Sequence, residues 1–537
     1  MKASDLLIAS LENEGIDTIF ALPGEENLDM MESIRTSNIT VHLTRHEQSA
    51  VFMAAAHGRL TGQPGVCLTT LGPGATNTMT AVAYAHLGGM PLLLITGQKP
   101  IKDRVQGSFQ VLDIVEMMTP ITKQSSQIIE ARHIPTAIRQ SFRAALADKP
   151  GPVHLELPED IAAEDTKTVC LPVTEPLPTV AQQSSINLVA ERLKTAKRPL
   201  VLISSGAARA DCGANLLQLI DSQELYFCTT QMGKGVVDEY HPRCLGTAAV
   251  SSGDYVHAAI AEADLVLNIG HDLTEKPPYV MTPESCDVVH IDTTPARIDQ
   301  VYYAQYELIG CIDTNLQMLN KTLEQVIDRR DYFETAKQQV NRHVLSREFA
   351  ASNPLSPQFL VSVLNGSLPG NTILSLDNGL YKIWFARHFQ ARFRHQLLLD
   401  NALATMGAGL PVAIGAKLAK PDHHMVAVCG DGGFLMNCQE LETATRLKLD
   451  LVVLVLTDDA YGMIKWKQRN DGLTEYGMDF NSVDLVQFAE SFGAQGHKVV
   501  VASEVGNQIN QCLNAGGVHI IDVPIDYTLV DDDRIGS

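Results

Sequence analysis

The sequence lacks the features of nucleic-acid-binding, secreted and membrane proteins. Among its 537 residues, 62 Asp and Glu outnumber 41 Lys and Arg, which gives a formal net charge of −21, whereas nucleic-acid binding depends on clustered basic side chains. No stretch approaches the roughly 18 uncharged apolar residues that cross a membrane. The N-terminus leads directly into an acidic helical pattern without the apolar core of a signal peptide. These absences predict a cytoplasmic protein without nucleic-acid or membrane partners.

The ten cysteines also lack a pattern, since there is no CxxC pair and no spacing to His that is typical of metal ligands. Several lie in or beside apolar runs, where a free thiol packs as a small hydrophobic group. We therefore expect reduced, structural thiols. No strand-like run is followed by GxGxxG with an acidic residue about 20 positions later, which disfavours a nicotinamide-dependent dehydrogenase.

Helical stretches alternate with short apolar runs along the chain, which predicts an α/β fold of parallel sheets covered by helices. The length predicts three domains at about 150 residues each, and we place them at residues 1–170, 186–330 and 354–530. A linker rich in Pro, Thr, Gln and Ser at 172–185 and a charged helical stretch at 316–349 separate them. Predicted strands are 18–21, 66–70, 91–95 and 151–158 in the first domain, 199–203, 265–269 and 288–291 in the second, and 425–429 and 451–456 in the third.

The motif Gly430-Asp431-Gly432-Gly433 directly follows one predicted strand and precedes a predicted helix at 434–448. The next strand ends at Thr457-Asp458, so both turns lie at the carboxyl ends of neighbouring strands. Two carboxylates there can surround one hard cation, and the glycines let the backbone approach a diphosphate. The alternative is a tight turn with a solvated Asp. By itself the pair predicts a cation with a phosphate.

These residues resemble the metal motif of thiamine-diphosphate enzymes, in which Gly-Asp-Gly is followed one strand later by Asn-Asn. Here Thr457-Asp458 departs from Asn-Asn and is similar to the Asp of the FAD-independent, catabolic acetolactate synthases. The resemblance spans nearly the whole chain and implies the three-domain thiamine-diphosphate-enzyme fold. It also implies that Mg²⁺ is bound by the side chains of Asp431 and Asp458 and by the backbone carbonyl of Ala460.

Two further segments resemble the same family. Residues 43–50 resemble the segment with the activating glutamate, here Glu47, whose carboxylate would hydrogen-bond the cofactor's pyrimidine ring from a largely apolar site. Met406 follows Thr405 in a segment that resembles the one whose bulky side chain holds the cofactor in a V shape. Without the neighbouring family-like segments, Glu47 would be interpreted as a surface residue and Met406 as a side chain that fills the hydrophobic core.

The resemblance implies a set of cofactor contacts. Asp377-Asn378-Gly379-Leu380 resembles a loop that touches the diphosphate in the catabolic enzymes. The complete set of implied contacts is Pro23, Gly24, Glu47, Asn77, Asn378, Gly379, Leu380, Thr405, Met406, Gly430, Asp431, Gly432, Gly433, Asp458, Ala460, Tyr461, Gly462, Met463 and Ile464. Because Glu47 and the metal motif lie in different domains, one site must join them. In this family they come from different subunits, so the resemblance implies a homodimer or a homotetramer.

The substrate side resembles acetolactate synthases through Phe109 and Gln110, and Lys123 resembles a family lysine near the substrate entrance. Simple decarboxylases have a His pair in this region, and this sequence has none. The implied reaction is condensation of two pyruvates to 2-acetolactate with release of CO₂ through an enamine on the cofactor. Trp466 lies one position earlier than the usual Trp of the biosynthetic enzymes, and Lys467 has no clear counterpart, so the acceptor stays open.

Residues 270–276 replace the Arg-Phe-Asp-Asp-Arg segment of FAD-containing members and keep only one positive charge, Lys276. FAD is therefore disfavoured, although a FAD-containing biosynthetic acetohydroxyacid synthase stays open. So do a decarboxylase, oxidase or carboligase for a different 2-oxo acid, and a non-catalytic relative. A regulatory subunit, and a role in branched-chain amino acid synthesis or in acetoin formation, are equally undecided by the residues.

Overall fold

The computed structural model describes residues 1–102, 107–174, 177–249, 254–272, 274–275, 281, 286–298, 302–323, 332–345 and 348–529. These residues form three six-stranded sheets in which all paired strands are parallel, with helices packed against them. The α/β fold predicted from the sequence is confirmed. Within the described residues, the helices are too short or too polar to cross a membrane.

The first sheet has the order β2-β1-β3-β4-β6-β5. β3 and β4 are continuous buried runs, as expected of strands covered on both faces. The four predicted strands of this unit are confirmed with ends shifted by up to three residues. The elements are β1 (Thr18–Leu22), β2 (Thr40–Leu43), β3 (Gly65–Thr69), β4 (Leu92–Gln98), β5 (Gln124–Gln127), β6 (Pro152–Pro158), α1 (Ala3–Asn13), α2 (Leu28–Arg35), α3 (Glu47–Thr61), α4 (Pro73–Thr76), α5 (Met79–Gly88), α6 (Ile114–Met118), α7 (Ile134–Leu146) and α8 (Glu159–Ala162).

The second sheet has the order β12-β11-β10-β7-β8-β9. Its core includes Phe333, Val340 and Val344, which pack with Cys228 and Leu245, so this unit continues past the predicted end at residue 330. The elements are β7 (Pro199–Ile203), β8 (Tyr226–Thr229), β9 (Cys244–Thr247), β10 (Leu265–Ile269), β11 (Asp287–Asp292), β12 (Tyr306–Ile309), α9 (Gln183–Thr195), α10 (Ser205–Ala210), α11 (Gly213–Ser222), α12 (Tyr255–Glu262), α13 (Ile312–Thr322) and α14 (Glu334–Val340), which a π-helical turn (Asn341–Leu345) extends.

The third sheet has the order β14-β13-β15-β16-β18-β17. The predicted helix at 434–448 is wrong in its bounds: helix begins at Asp431, and a second helix begins at Glu440. Between them, Asn437 donates its amide to the Gly407 carbonyl at 2.7 Å. The elements are β13 (Thr372–Leu376), β14 (Leu397–Leu398), β15 (His424–Gly430), β16 (Leu451–Thr457), β17 (Gln495–Lys498), β18 (Val518–Pro524), α15 (Pro357–Ser367), α16 (Lys382–His388), α17 (Gly409–Ala419), α18 (Asp431–Phe434), α19 (Glu440–Arg446), α20 (Gly462–Asn470), α21 (Leu485–Ser491) and α22 (Val505–Ala515).

The first and third units share one hydrophobic core, in which α3 packs against α17. At the crossing, a Cβ on Gly415 would lie 2.3 Å from the Met53 carbonyl oxygen, so only glycine permits this approach. Ser49 also donates to the Asn437 side chain at 3.1 Å. The helix that begins at Glu47 is therefore fixed against the unit that contains the Gly-Asp-Gly motif.

Candidate active site

Asp431 and Asp458 lie side by side because they follow the adjacent strands β15 and β16. Oδ2 of Asp431 accepts the backbone N–H of Asp458 at 3.1 Å and that of Asp459 at 2.8 Å. Oδ1 of Asp431 accepts the Gly432 N–H at 2.7 Å. Gly462 leaves room for the second carboxylate, since a Cβ there would lie 2.8 Å from Oδ2 of Asp458. The sequence-based pairing of the two carboxylates is thus present in the structure.

The two carboxylates are poorly compensated by cations. Asp431 is only 7% exposed, and burial raises its pKa. Burial and the charge of Asp431 raise the pKa of Asp458 to about 7, although Lys465 opposes the shift. Two close buried carboxylates repel each other, and a hard cation between them relieves that repulsion.

A second loop is tied to the first by Asp377, which is fully buried after β13. Its carboxylate accepts the backbone N–H groups of Asn378 at 2.8 Å, Gly407 at 3.1 Å and Ala408 at 3.2 Å. Burial raises its pKa to about 6. A Cβ on Gly433 would lie 2.3 Å from Oδ2 of Asp377. Asp377 therefore connects three segments into one rigid unit: the loop at Asn378, the Met406 segment and the Gly-Asp-Gly turn.

Lys382, at the start of α16, supports the same loop from beneath. Its Nζ donates to Oδ1 of Asn378 at 2.8 Å and to the Asp400 carbonyl at 2.6 Å. The Asn378 amide donates in turn to the Thr405 carbonyl at 2.9 Å. Burial lowers the pKa of Lys382 to about 8. This lysine was not predicted from the sequence, because only the folded loop shows that its ammonium group binds Asn378.

These loops surround a cavity of about 670 Å³ between the central and third units. Thr405, another predicted residue, does not line the cavity, but its carbonyl accepts a hydrogen bond from Asn378, which does. Among the wall residues that the sequence did not predict are Ser204, Thr230, Glu275 and Tyr381, while Trp466 and Lys467 lie at its α20 side. The predicted residues that line the cavity are Asn378, Gly379, Leu380, Met406, Gly430, Asp431, Gly432, Gly433, Asp458, Ala460, Tyr461, Gly462, Met463 and Ile464.

The predicted residues of the first unit form a separate cluster at the carboxyl edge of their sheet. Glu47 is 8% exposed at the N-terminus of α3, and its Oε2 accepts the Asn77 amide at 2.9 Å. Oε1 lies 3.7 Å from the Cβ position of Gly74. Gly24 follows Pro23 and packs against Thr70 so closely that a Cβ would lie 2.6 Å from its hydroxyl oxygen. Of the described residues, none from the first unit lines the large cavity.

The predicted substrate residues occupy different places. The Gln110 backbone has φ +57° and its carbonyl lies 3.0 Å from the Cβ position of Gly72, beside the Glu47 cluster. Phe109 is 70% exposed. Lys123 precedes β5, at the amino edge of the sheet, and donates to the carbonyls of Ala147 and Lys149. Within one chain, Lys123 is therefore not brought together with Glu47, which follows the carboxyl edge.

The central unit contributes an acidic wall to the cavity. Asp272 forms ion pairs with Lys149 at 2.7 Å and Arg209 at 3.2 Å, and these cations lower its pKa despite its burial. Glu275 accepts the Met232 N–H at 2.9 Å and the Thr230 hydroxyl at 2.7 Å, and burial raises its pKa to about 7. Lys276, the charge noted in the sequence, lies outside the described residues.

The comparisons with known proteins agree with this architecture. The chain matches three domain models: the thiamine pyrophosphate enzyme N-terminal TPP-binding domain over residues 1–117, the central domain over 186–319 and the C-terminal TPP-binding domain over 377–523.

Curated relatives match over almost their whole length. The acetolactate synthase of Bacillus subtilis is 32% identical, over 98% of this chain and 94% of its own. The probable acetolactate synthase large subunit of Methanocaldococcus jannaschii is 31% identical, over 98% and 92%. The catabolic acetolactate synthase of Raoultella terrigena is 30% identical, over 98% and 95%. The chain therefore belongs to the acetolactate synthase family of thiamine-pyrophosphate-dependent enzymes.

Proposed function

We propose that the enzyme condenses two pyruvates to 2-acetolactate with release of CO₂, using thiamine diphosphate bound through Mg²⁺ in the large cavity. The observation that supports this most is the meeting of the Asp431–Asp458 pair, the Met406 segment and the Asn378 loop in one cavity. The family supplies the cofactor class, and these residues supply its proposed position.

The residues fit the metal and the diphosphate. Asp431, Asp458 and the Ala460 carbonyl offer only oxygen ligands, as Mg²⁺ prefers, and burial with the charge of Asp431 raises the pKa of Asp458, which a bound cation would oppose. Gly432 packs closely against Tyr461, since a Cβ there would lie 2.8 Å from the ring. α20 begins at Gly462, and its N-terminal N–H groups favour a phosphate.

Met406 would set the shape of the bound cofactor. Its neighbour Gly407 is fixed on two sides, because its N–H donates to Asp377 at 3.1 Å and its carbonyl accepts from Asn437 at 2.7 Å. A side chain on such a fixed segment can support the bend between two rings, which a mobile one cannot.

Bound thiamine diphosphate supplies a carbon nucleophile and accepts the electron pair left when a 2-oxo acid loses CO₂. Glu47 would hold a proton at Oε1, because Oε2 is occupied by the Asn77 amide. A buried carboxylate in this position can polarise a ring nitrogen only when the cofactor reaches the first unit. We therefore propose that the first unit of a second chain completes each cavity.

The wall near α20 would receive the second 2-oxo acid. Trp466 offers an apolar face and Lys467 a positive charge that suits a carboxylate, and both line the cavity. We propose pyruvate as acceptor, with 2-oxobutyrate as the competitor to compare. We also propose that no flavin is needed, since the central wall presents Asp272 and Glu275, and Asp272 already pairs with the nearby cations Lys149 and Arg209.

A product assay tests the proposal. Purified protein with thiamine diphosphate, Mg²⁺ and pyruvate should form acetolactate. When 2-oxobutyrate is added, the fraction of mixed product measures how well this acceptor fits beside Trp466. Release of CO₂ with acetaldehyde as the sole product would instead establish a decarboxylase. Flavin absorbance in the purified protein would overturn the flavin-free proposal without affecting the condensation.

A further inference from the structure

A second cavity, of about 250 Å³, lies where the three units meet and is strongly basic. Arg59 reaches it from the C-terminal end of α3, Arg209 from α10, and Arg394 with His395 from the segment before β14. Among the described residues that line it, none is Asp or Glu. The wall of the large cavity, in contrast, contains the carboxylates of Asp272, Glu275, Asp431, Asp458 and Asp471 beside the lysines Lys382 and Lys467. Carboxylates pair with Arg209 and Arg394 from outside the cavity, so that the cavity itself is lined by cations alone.

Two of the three guanidinium groups, those of Arg59 and Arg209, have unused donors. Arg59 makes a single long hydrogen bond, to the Leu399 carbonyl at 3.5 Å, and no ion pair with any residue that the structure describes. Burial lowers its pKa, although Asp400 opposes the shift. Arg209 pairs with Asp272 at 3.2 Å and donates to the Ser205 hydroxyl at 3.1 Å, but its Nε has no hydrogen-bond partner within the described part of the chain. The Arg394 pair with Asp211 is 3.3 Å long and partly exposed.

His395 adds an independent observation. Its side chain is 7% exposed, and its buried Nδ1 has no hydrogen-bond partner in the described structure. The backbone of His395 has φ +63°, in the left-handed region that non-glycine residues adopt at a cost. Burial and the neighbouring arginines lower its pKa, so the ring is neutral and can donate one hydrogen bond. An unpartnered polar atom of a residue that lines a cavity is available to bind a ligand there.

We propose that this cavity binds a small anion with a phosphate group. Guanidinium groups bind phosphate oxygens in pairs, and burial strengthens such charge-assisted bonds. The volume lies below the roughly 300–1,000 Å³ of sites for larger organic ligands. That size admits inorganic phosphate or a compact phosphate ester and excludes a dinucleotide. The site is separate from the large cavity and stands whether or not the enzyme makes acetolactate.

Equilibrium dialysis with radiolabelled inorganic phosphate tests the proposal. The enzyme is first saturated with thiamine diphosphate and Mg²⁺, so that the diphosphate site is filled, and ionic strength is held constant. We expect one phosphate per chain. Arg59→Met and Arg394→Met should each weaken binding by about tenfold or more, since each removes a charge-assisted hydrogen bond. Arg35→Met, which removes a charge from an exposed arginine elsewhere in the first unit, should leave the affinity unchanged.

Each further outcome decides between sources or overturns the site. Displacement by glycerol 3-phosphate at lower concentration than by phosphate identifies a phosphate ester as ligand, and equal displacement identifies free phosphate. If Arg59→Met does not fold, as judged by its circular dichroism spectrum, the partly exposed Arg394 carries the test. Absence of saturable binding, or equal affinity in the wild type and both cavity variants, overturns the proposal.

Discussion

Oδ2 of Asp431 accepts the backbone N–H of Asp458 at 3.1 Å, so the first carboxylate of the candidate metal site positions the loop that carries the second. The turn after β15 and the turn after β16 therefore act as one element. A change at Asp431 affects both the charge of the site and the shape of its partner loop.

Asp431→Asn should abolish tight binding of thiamine diphosphate with Mg²⁺ and lower activity by at least about a hundredfold. The amide keeps an acceptor for the loop but removes the negative charge. Calorimetric titration of the apoprotein with cofactor and Mg²⁺ measures the binding. Asp422→Asn, at an exposed carboxylate of the same unit outside the cavity, is the matched control and should bind as the wild type does. Unchanged binding in Asp431→Asn would move the metal elsewhere.

Asp458→Asn should have opposite effects on the apoprotein and on metal binding. Burial and the charge of Asp431 raise the pKa of Asp458 from 3.8 to about 7 in the folded chain. Between about pH 4 and pH 7 the folded apoprotein therefore binds one proton more than the unfolded chain does. Its stability falls as pH rises through this range. Removing the carboxylate removes this loss. The fall in Tm of the apoprotein between pH 5 and pH 7.5 should therefore be smaller in the variant.

The same variant should bind Mg²⁺ about tenfold more weakly, because the site has one negative charge fewer. Asp422→Asn is the control, since Asp422 is an exposed carboxylate of the same unit that does not line the cavity. If Asp458→Asn had the same pH dependence of Tm as the wild type, the carboxylates of Asp431 and Asp458 would not repel each other.

Glu47→Gln should fold normally and lose activity by about a hundredfold or more, because the amide cannot hold the proton at Oε1. Glu25→Gln, an exposed residue of the same unit, should keep full activity. A mixture of Glu47→Gln and Asp431→Asn chains, unfolded and refolded together, then tests the between-chain site. Half of the dimers are mixed and each has one intact site, so about a quarter of the wild-type activity should return. No recovery would place both residues of a site in one chain.

Met406→Ala should retain the cofactor and lose activity by about tenfold to a hundredfold, because the fixed segment no longer supports the bend in the cofactor. Binding and turnover are measured separately, by titration and by steady-state rates. Met436→Ala, at an exposed methionine after α18, is the control. A variant that loses binding and turnover in parallel would reduce Met406 to a packing residue.

Much of the lining of the large cavity could be predicted from the sequence, because strand ends and glycine turns are local features. Gly430 to Gly433 and Asp458 follow continuous apolar runs, and parallel strands bring their carboxyl ends to one edge. The helix after Gly433 was misplaced because its break depends on Asn437, whose partner Gly407 lies far away in the chain. Helical periodicity alone contains no such contact.

Features that depend on distant contacts were not predictable. Lys382 and Asp377 act through loops that only the fold brings together. Lys123 was interpreted as a substrate residue from its resemblance, and the structure places it before β5, at the amino edge of the sheet in its own chain. The clustering of His497, Cys512 and His519 within 4.8 Å of one another was equally hidden, since these residues lie on two strands and a helix.

The most direct test of the proposed reaction is its stoichiometry with pyruvate alone. ¹³C NMR of the purified enzyme with thiamine diphosphate, Mg²⁺ and labelled pyruvate follows every carbon. We predict one acetolactate and one CO₂ for each two pyruvates consumed, with formation slowed by about a hundredfold or more in Glu47→Gln and Asp431→Asn. One CO₂ and one acetaldehyde per pyruvate, or full acetolactate formation by Asp431→Asn, would contradict this prediction.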